Sequence, residues 1–217
     1  MIKFEKTEVF NFEGALRGMR NPLNSWDKAD SEYVPSEGKH NCMPYFDGYF
    51  SIGPNDLDLA QRLIKAGSDH RKFLRQIFVC VDITAPLYWW KEFDTYKVAT
   101  VANSCSTMHT IHKKEFSLDD FSREHLQQFM LNSLVGTIDH LNLARRNYLD
   151  SKHKEDWWQM IQLLPSSYNQ KRTVTLNYET LRNIYGSRRN HKLDEWSIGF
   201  MEWIDSLPYA EELIKYE

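Results

Sequence analysis

The sequence predicts an α/β (α+β) domain, richer in helix than in strand, and three stretches carry that expectation. Residues 76–84, QIFVCVDIT, are rich in β-branched and aromatic side chains, which suit a pleated, half-buried surface. From Phe121 to Tyr148 apolar residues (among them Leu126, Phe129, Leu134, Ile138 and Leu141) recur at helical spacing. Residues 55–66 read as a helix with a recognisable start and stop. At 217 residues the chain is long enough for one full core, and no repeat, linker or low-complexity segment divides it. A single domain over 1–217 is expected.

In chain order, residues 2–10 alternate well enough for a strand, with Ile2 and Phe4 on related faces. EGALRGMR, within 11–24, starts a short helix that Asn21-Pro22 breaks. Residues 25–54 show little periodicity and read as a long loop. Asn55 is placed as the N-cap of the next helix, and Asp56 and Asp58 lie in its first turn, where negative charge is favoured. Gly67 is placed to end it. After the 76–84 strand, Pro86 suits the first helical position, because its missing N–H would have no partner there. Ser117 and Asp120 resemble a capping box before the longest helical tract, which Gly136 could bend or split. WWQMIQLLP at 157–165 is a short apolar run, and helices are expected over 174–188 and 192–206.

With 27 Lys and Arg against 30 Asp and Glu, the net charge is −3, so no general attraction to nucleic acid is written into the totals. Three widely spaced cysteines (Cys42, Cys80, Cys105) argue against a disulfide framework and fit a reducing compartment. No apolar run approaches the roughly 20 residues of a membrane span, and MIKFEKTEVF lacks the layout of a secretory signal. A cytoplasmic protein is the expectation. The 7 Trp, 11 Tyr and 12 Phe serve as core and interface side chains or as stacking surfaces for a planar ring. Of the pairs Trp89-Trp90 and Trp157-Trp158, one member each is expected in the core, since helical neighbours face different ways.

Residues 77–109 deliver Thr100, Asn103, Ser104, Ser106 and Thr107 from a strand–helix unit into one loop, an arrangement that suggests a ligand site. On a continuous helix Asn177 and Arg188, eleven apart, share a face, with Asn183 to one side. Amide and guanidinium groups there would hold a heterocycle and a phosphate, unless they are simply solvated. Cys105, His109 and His112 are acceptable metal ligands, but no fourth ligand is near and the spacing matches no known zinc site, so no metal is expected.

TAPLYWWKEFDTYKVAT and LLPSSYNQKRTVTLNYETLRNIYGSRRNH together resemble the flavin-dependent thymidylate synthases. The likeness runs without gaps over about 67–100 and 164–188, and with small insertions over about 45–206. It implies a mixed sheet with long helices packed on it, a homotetramer with sites shared between chains, and FAD as cofactor. NADPH and a methylene-folate donor are further implications, with a pyrimidine nucleotide as substrate and no membrane or nucleic-acid partner. By matched position it assigns His70, Arg75, Tyr96, Lys97, Asn177 and Asn183 to cofactor binding. Glu92, Thr100, Ser104, Ser106 and Arg188 fall to substrate binding. No catalytic side chain is assigned, because in that family reduced flavin and a folate carry the chemistry.

Many family positions are changed. The Arg-His-Arg triplet is Thr95-Tyr96-Lys97, its preceding Gln is Glu92, and the substrate loop has Ser104 and Met108 where the family has Glu and Arg. Arg75 stands for a Glu and Glu179 for an Arg, two sign reversals that suggest a swapped ion pair, with Glu179 reaching one of the new cations. Each lost bidentate Arg removes about 1.5–3 kcal/mol of charge-assisted hydrogen bonding. Two readings follow: a divergent flavoprotein with an altered methyltransferase reaction, or a non-catalytic nucleotide or small-molecule binder on the same fold. A partner-binding protein is a third.

Overall fold

The computed structural model describes residues 2–35 and 48–217, so Cys42 lies outside the described residues. Six strands and eight α-helices are assigned among them. Strand β1 (Lys3–Phe10) leads into α1 (Phe12–Arg20), which ends at Asn21-Pro22 as the proline dictates. β2 (Glu32–Pro35) and β3 (Gly48–Ser51) pair antiparallel, with Tyr33 opposite Phe50. The stretch expected as loop therefore contains a two-stranded sheet. α2 (Pro54–Lys65) follows, then β4 (Phe78–Pro86), α3 (Leu87–Phe93), β5 (Val101–Ser104) and a single helical turn, α4 (Thr107–Thr110). α5 (Gln128–Ser151) and α6 (Lys154–Leu163) precede β6 (Asn169–Asn177), α7 (Tyr178–Arg188) and α8 (Met201–Asp205). The main sheet has the strand order β1-β4-β6-β5.

Several boundaries differ from the sequence reading for local reasons. α2 starts at Pro54, not after Asn55, because its first backbone N–H groups are capped from a distance: Asn55 and Asp56 donate to the carboxylate of Asp30, at 2.8 and 3.0 Å. Pro86 is the N-cap of α3 and the last residue of β4, one place earlier than expected. The Ser117–Asp120 capping box exists, but it caps a short 3-10 turn at 118–120. The long helix begins only at Gln128 and passes Gly136 unbroken. Residues 169–177 form a strand where a helix was expected from 174. The expected helix over 192–206 is a π-helical stretch, Glu195–Phe200, continued by α8.

Contacts group the chain into two compact units, each built from several segments. The first comprises 1–7, 81–97 and 101–174. Its core includes Ile111, Phe116, Phe121, Leu134, Ile138, Leu141 and Met160, supplied by α5, α6 and the segment before them. A second cluster in this unit is aromatic: Trp89 and Trp90 meet edge-on at 4.9 Å, and Trp89 stacks on Phe93 at 5.0 Å. Both tryptophans are fully buried, so the expectation of a single core member is corrected for this pair. Trp90 donates Nε1–H to the carbonyl of Gln170, and the Arg172 guanidinium lies 4.2 Å from the centre of its ring. Trp158, in contrast, is exposed.

The second unit comprises 8–80, 98–100 and 175–217. Phe12 meets Tyr178 and Tyr209 edge-on, at 5.6 and 5.7 Å. Tyr178 donates its hydroxyl to the carbonyl of Pro208 at 2.6 Å. A wholly buried ion pair joins α1 to α2: Arg20 Nε donates to Asp56 at 2.5 Å. Asp56 also accepts from the backbone N–H groups of Asp30 and Ser31 and from the Ser31 hydroxyl. Nη1 donates to the carbonyl and hydroxyl of Ser25, and Nη2 to the carbonyl of Lys28. Among the described residues no helix is long and apolar enough to cross a membrane.

Candidate functional site

In the second unit the start of α7 gathers two of the predicted cofactor residues. Asn177 is the N-cap: its Oδ1 accepts from the Thr180 backbone N–H (2.9 Å) and hydroxyl (3.1 Å). Its Nδ2 donates to the carbonyl of Arg75 at 3.2 Å. Asn177 is 3% exposed, so its amide is spent on holding this junction together. As a cap it lies outside the helix proper, and the shared helical face argued for Asn177 and Arg188 does not exist. Two residues on, Glu179 takes a bidentate hydrogen bond from Arg71, with Nε at 2.9 Å and Nη2 at 3.1 Å. The swapped pair with Arg75 is thereby corrected: Arg71 is the partner, and Arg75 instead donates to the carbonyl of Ser68.

Three other predicted groups of this unit are accessible. His70, Arg75 and Asn183 are exposed. Arg188 is half-buried, its guanidinium 5.2 Å from the centre of the Trp196 ring. Thr100 is distinctive. Its hydroxyl is buried without a hydrogen-bond partner among the described residues, and the residue before it, Ala99, sits at φ 58°. A left-handed alanine costs about 1–2 kcal/mol, and an unsatisfied buried hydroxyl about 1–3 kcal/mol. Both penalties fall at one predicted substrate position, a pattern that accompanies binding sites. The same unit holds a cavity of about 810 Å³ walled by rings, among them Phe10, Phe12, Tyr49, Phe50 and Tyr209. None of the residues assigned by resemblance lines it.

In the first unit, Glu92 lies in the last turn of α3, its carbonyl accepting from the Thr95 hydroxyl at 2.7 Å. Tyr96 packs its ring 6.5 Å from Phe93, and Lys97 is exposed. Ser104 is exposed at the end of β5. Ser106 is the N-cap of α4, its Oγ accepting from the His109 N–H at 3.0 Å. Ser106 lines a recess of about 340 Å³ together with Thr107, Lys113, Lys114, Asp120 and Tyr168. Cys105 and His109 are exposed, while His112 lies edge-on to Tyr148. Among the described residues no group of three or more His, Cys, Asp or Glu is placed to hold a metal ion.

A phosphorylated, planar cofactor fits part of this inventory. His70, Arg75 and Asn183 offer exposed polar groups, and the buried Thr100 hydroxyl lacks a partner that a ligand would supply. The amide of Asn177 fits no ligand role. The sequence reading missed Arg71, whose only signal was an arginine six residues after the helix ending at Lys65, and the Lys113–Tyr168 recess, which joins positions 55 apart.

No family model matches the chain, and no curated protein matches it in sequence. Its fold, however, is similar to that of solved structures of flavin-dependent thymidylate synthase from Helicobacter pylori. One, described as holding FAD and dUMP, superposes with a TM-score of 0.66 at 17% identity, over 99% of this chain and 96% of that one. A second, also described as complexed with FAD and dUMP, gives 0.65 at 17% identity, over 99% and 97%. The chain therefore has the mixed α/β architecture of those synthases, with helices packed on a sheet, along nearly its whole length.

Proposed function

We propose that the chain is a divergent flavin-dependent thymidylate synthase-like protein that binds FAD and a nucleotide. Its reaction is a reductive one-carbon transfer to a pyrimidine nucleotide, or an altered form of that transfer. The likeness of fold over 99% of the chain, to structures described as holding FAD and dUMP, carries the reading. The partnerless Thr100 hydroxyl at a matched substrate position supports it. Bound flavin would supply the electrons, with NADPH as its reductant and a methylene-folate as the one-carbon donor. The chain's own contribution is placement. His70, Arg75 and Asn183 hold the cofactor, Thr100 donates to the nucleotide, and Arg188 stands as countercharge for a phosphate. A cytoplasmic homotetramer with sites shared between copies belongs to the same proposal.

The absorbance spectrum of freshly purified protein tests this directly. Bound flavin is expected, and Thr100→Val and Arg188→Met should each weaken nucleotide binding about tenfold, one charge-assisted or buried hydrogen bond. Protein that is colourless, and stays so after incubation with FAD, overturns the flavoprotein reading. A second reading, a non-catalytic nucleotide binder on this fold, is favoured by the burial of the Asn177 amide in a cap and by Glu179 standing where the family has an arginine. Thermal stabilisation by a nucleotide but not by flavin would select it.

A further inference from the structure

The cavity of about 810 Å³ in the second unit is walled by six rings, which divide into two sets. Phe12, Phe50 and Tyr209 are braced against one another. Phe12 is buried and lies within 7° of parallel to Phe50, with centroids 6.1 Å apart, and Tyr209 meets Phe12 edge-on at 5.7 Å. The Tyr209 hydroxyl accepts from the Ile52 N–H and donates to the Phe50 carbonyl, both at 2.9 Å, which ties β3 to this set. Phe10, Tyr33 and Tyr49 are instead 44%, 50% and 63% exposed.

Three exposed rings on one hollow form an apolar surface from which folding gains nothing, and such surfaces mark interaction sites. The backbone is also held in an unfavourable form at two lining positions. Asn11 (φ 73°) precedes α1 without capping it through its side chain, and Tyr209 (φ 56°) precedes the π-helical turn Ala210–Ile214. L-residues avoid the left-handed region, and strain of this kind, like π-helical turns, gathers at ligand sites. The wall has no net charge. Among the described residues its charged side chains are Glu13 and Arg17, one helical turn apart, exposed and 3.7 Å from each other. A phosphate or carboxylate entering here would find one cation that already faces an acid. The Tyr33 and Tyr49 hydroxyls have no hydrogen-bond partner among the described residues and can donate to a neutral oxygen.

We propose that this cavity binds an uncharged planar aromatic molecule, held between the braced rings of Phe12, Phe50 and Tyr209 and the exposed rings of Phe10, Tyr33 and Tyr49. Offset-stacked and edge-to-face contacts with several rings select a flat π-face over a saturated one. The volume lies in the upper part of the roughly 300–1,000 Å³ spanned by small-molecule sites. The site goes beyond the proposed function. Every lining residue belongs to the second unit, and none is assigned to cofactor or substrate. The neutral wall suits none of the anionic ligands proposed there.

Benzophenone is an uncharged aromatic ketone that cross-links to nearby C–H bonds under near-ultraviolet light, so one probe both reports binding and maps it. The full chain is illuminated with it, and labelled peptides are identified by mass spectrometry. Label should saturate and concentrate on peptides holding residues 9–17, 48–50 and 208–209. Naphthol should compete. Its saturated counterpart decahydronaphthol and the anion naphthalenesulfonate should each need about tenfold more, and FAD with dUMP should leave labelling unchanged. Tyr33→Ala and Tyr49→Ala remove half-exposed rings and should each raise the half-saturating concentration about threefold to tenfold, the weight of one aromatic pair. Label that is scattered or concentrated elsewhere overturns the site, as does an unchanged affinity in either variant. Equal competition by decahydronaphthol overturns the aromatic assignment, and equal competition by the sulfonate overturns the uncharged one. Protection by FAD or dUMP overturns the separation from the proposed cofactor site. A protein that takes up no flavin leaves the labelling map as it is, so the two proposals fail separately.

Discussion

Asp56→Asn is the most demanding test of the forces that hold the second unit together. The carboxylate and the Arg20 guanidinium are 2% and 3% exposed, and every guanidinium edge has a protein acceptor. The amide keeps one acceptor oxygen but deletes the charge, leaving a buried cation uncompensated. It also sets an NH₂ against donors, because Ser31 N–H, Ser31 O–H and Asp30 N–H all point at Oδ2. Breaking one partner of such a pair costs about 3–5 kcal/mol, a large share of the roughly 5–15 kcal/mol that stabilises a domain. Urea unfolding at pH 7 should show that loss as a lower midpoint with an unchanged slope.

The same residue fixes an acid dependence. Burial pushes the Asp56 carboxyl up, but hydrogen bonds from Ser31 and Arg20 and from the Asp30 backbone outweigh it and hold the group below its ordinary value of 3.8. The folded value thus lies under the unfolded one. The contribution is complete above about pH 4 and disappears as pH falls through the folded value. Asp56→Asn should therefore remove this part of the decline in stability below pH 4. A loss under about 1 kcal/mol at pH 7, or an acid limb identical to that of the parent, would refute the reasoning. Replacing both partners by Arg20→Met with Asp56→Leu should recover only part of the loss: the apolar pair has no charge to desolvate, but the Asp30 and Ser31 N–H groups lose their acceptor.

Two further outcomes follow from geometry. Asn177→Ala should cost about 0.5–2 kcal/mol as a lost cap, while Asn177→Asp keeps an acceptor for Thr180 and should cost less; a ligand-binding defect in the alanine variant without any stability loss would contradict the capping role. Gly136→Ala in the middle of α5 should stabilise the chain by about 1 kcal/mol, because an added Cβ meets nothing within 4 Å, and a lower thermal midpoint would show that another surface closes on that position.

Elements whose signals are local were legible. β1, α1 with its proline stop, β4 and the Gly67 end of α2, where φ is 105°, could all be read from the residues that form them. What stayed hidden depends on distant partners. The cap of α2 is Asp30, 25 residues upstream of Asn55, and nothing near Asn55 announces it. β6 was misread because Val174, Leu176, Leu181 and Ile184 fit a helical stripe as well as a strand followed by a helix. The β-branched run Thr173-Val174-Thr175 was the better signal. α3 buries Trp89, Trp90 and Phe93 while Lys91 is exposed, so its buried face is wide enough to take two adjacent residues, which the expectation of one core member per pair did not allow.

The site divides along the same line. Sequence matching names residues by position, but it cannot say whether a polar group is already spent. Asn177 and Glu179 are spent, one on Thr180 and the Arg75 carbonyl and the other on Arg71. A satisfied, buried amide has to break two or three bonds before it can hold a ligand, and each replacement would gain only what the fold loses. Unused capacity lies with other groups: the Thr100 hydroxyl and the exposed Asn183 in one unit, Lys113 and Tyr168 in the other. Two of these four, Lys113 and Tyr168, are not among the positions assigned a role by resemblance. If ligand binding survives the loss of the family's arginines, it draws on such uncommitted groups, Thr100 and Asn183 at matched positions among them, rather than on amides and carboxylates the fold has already spent.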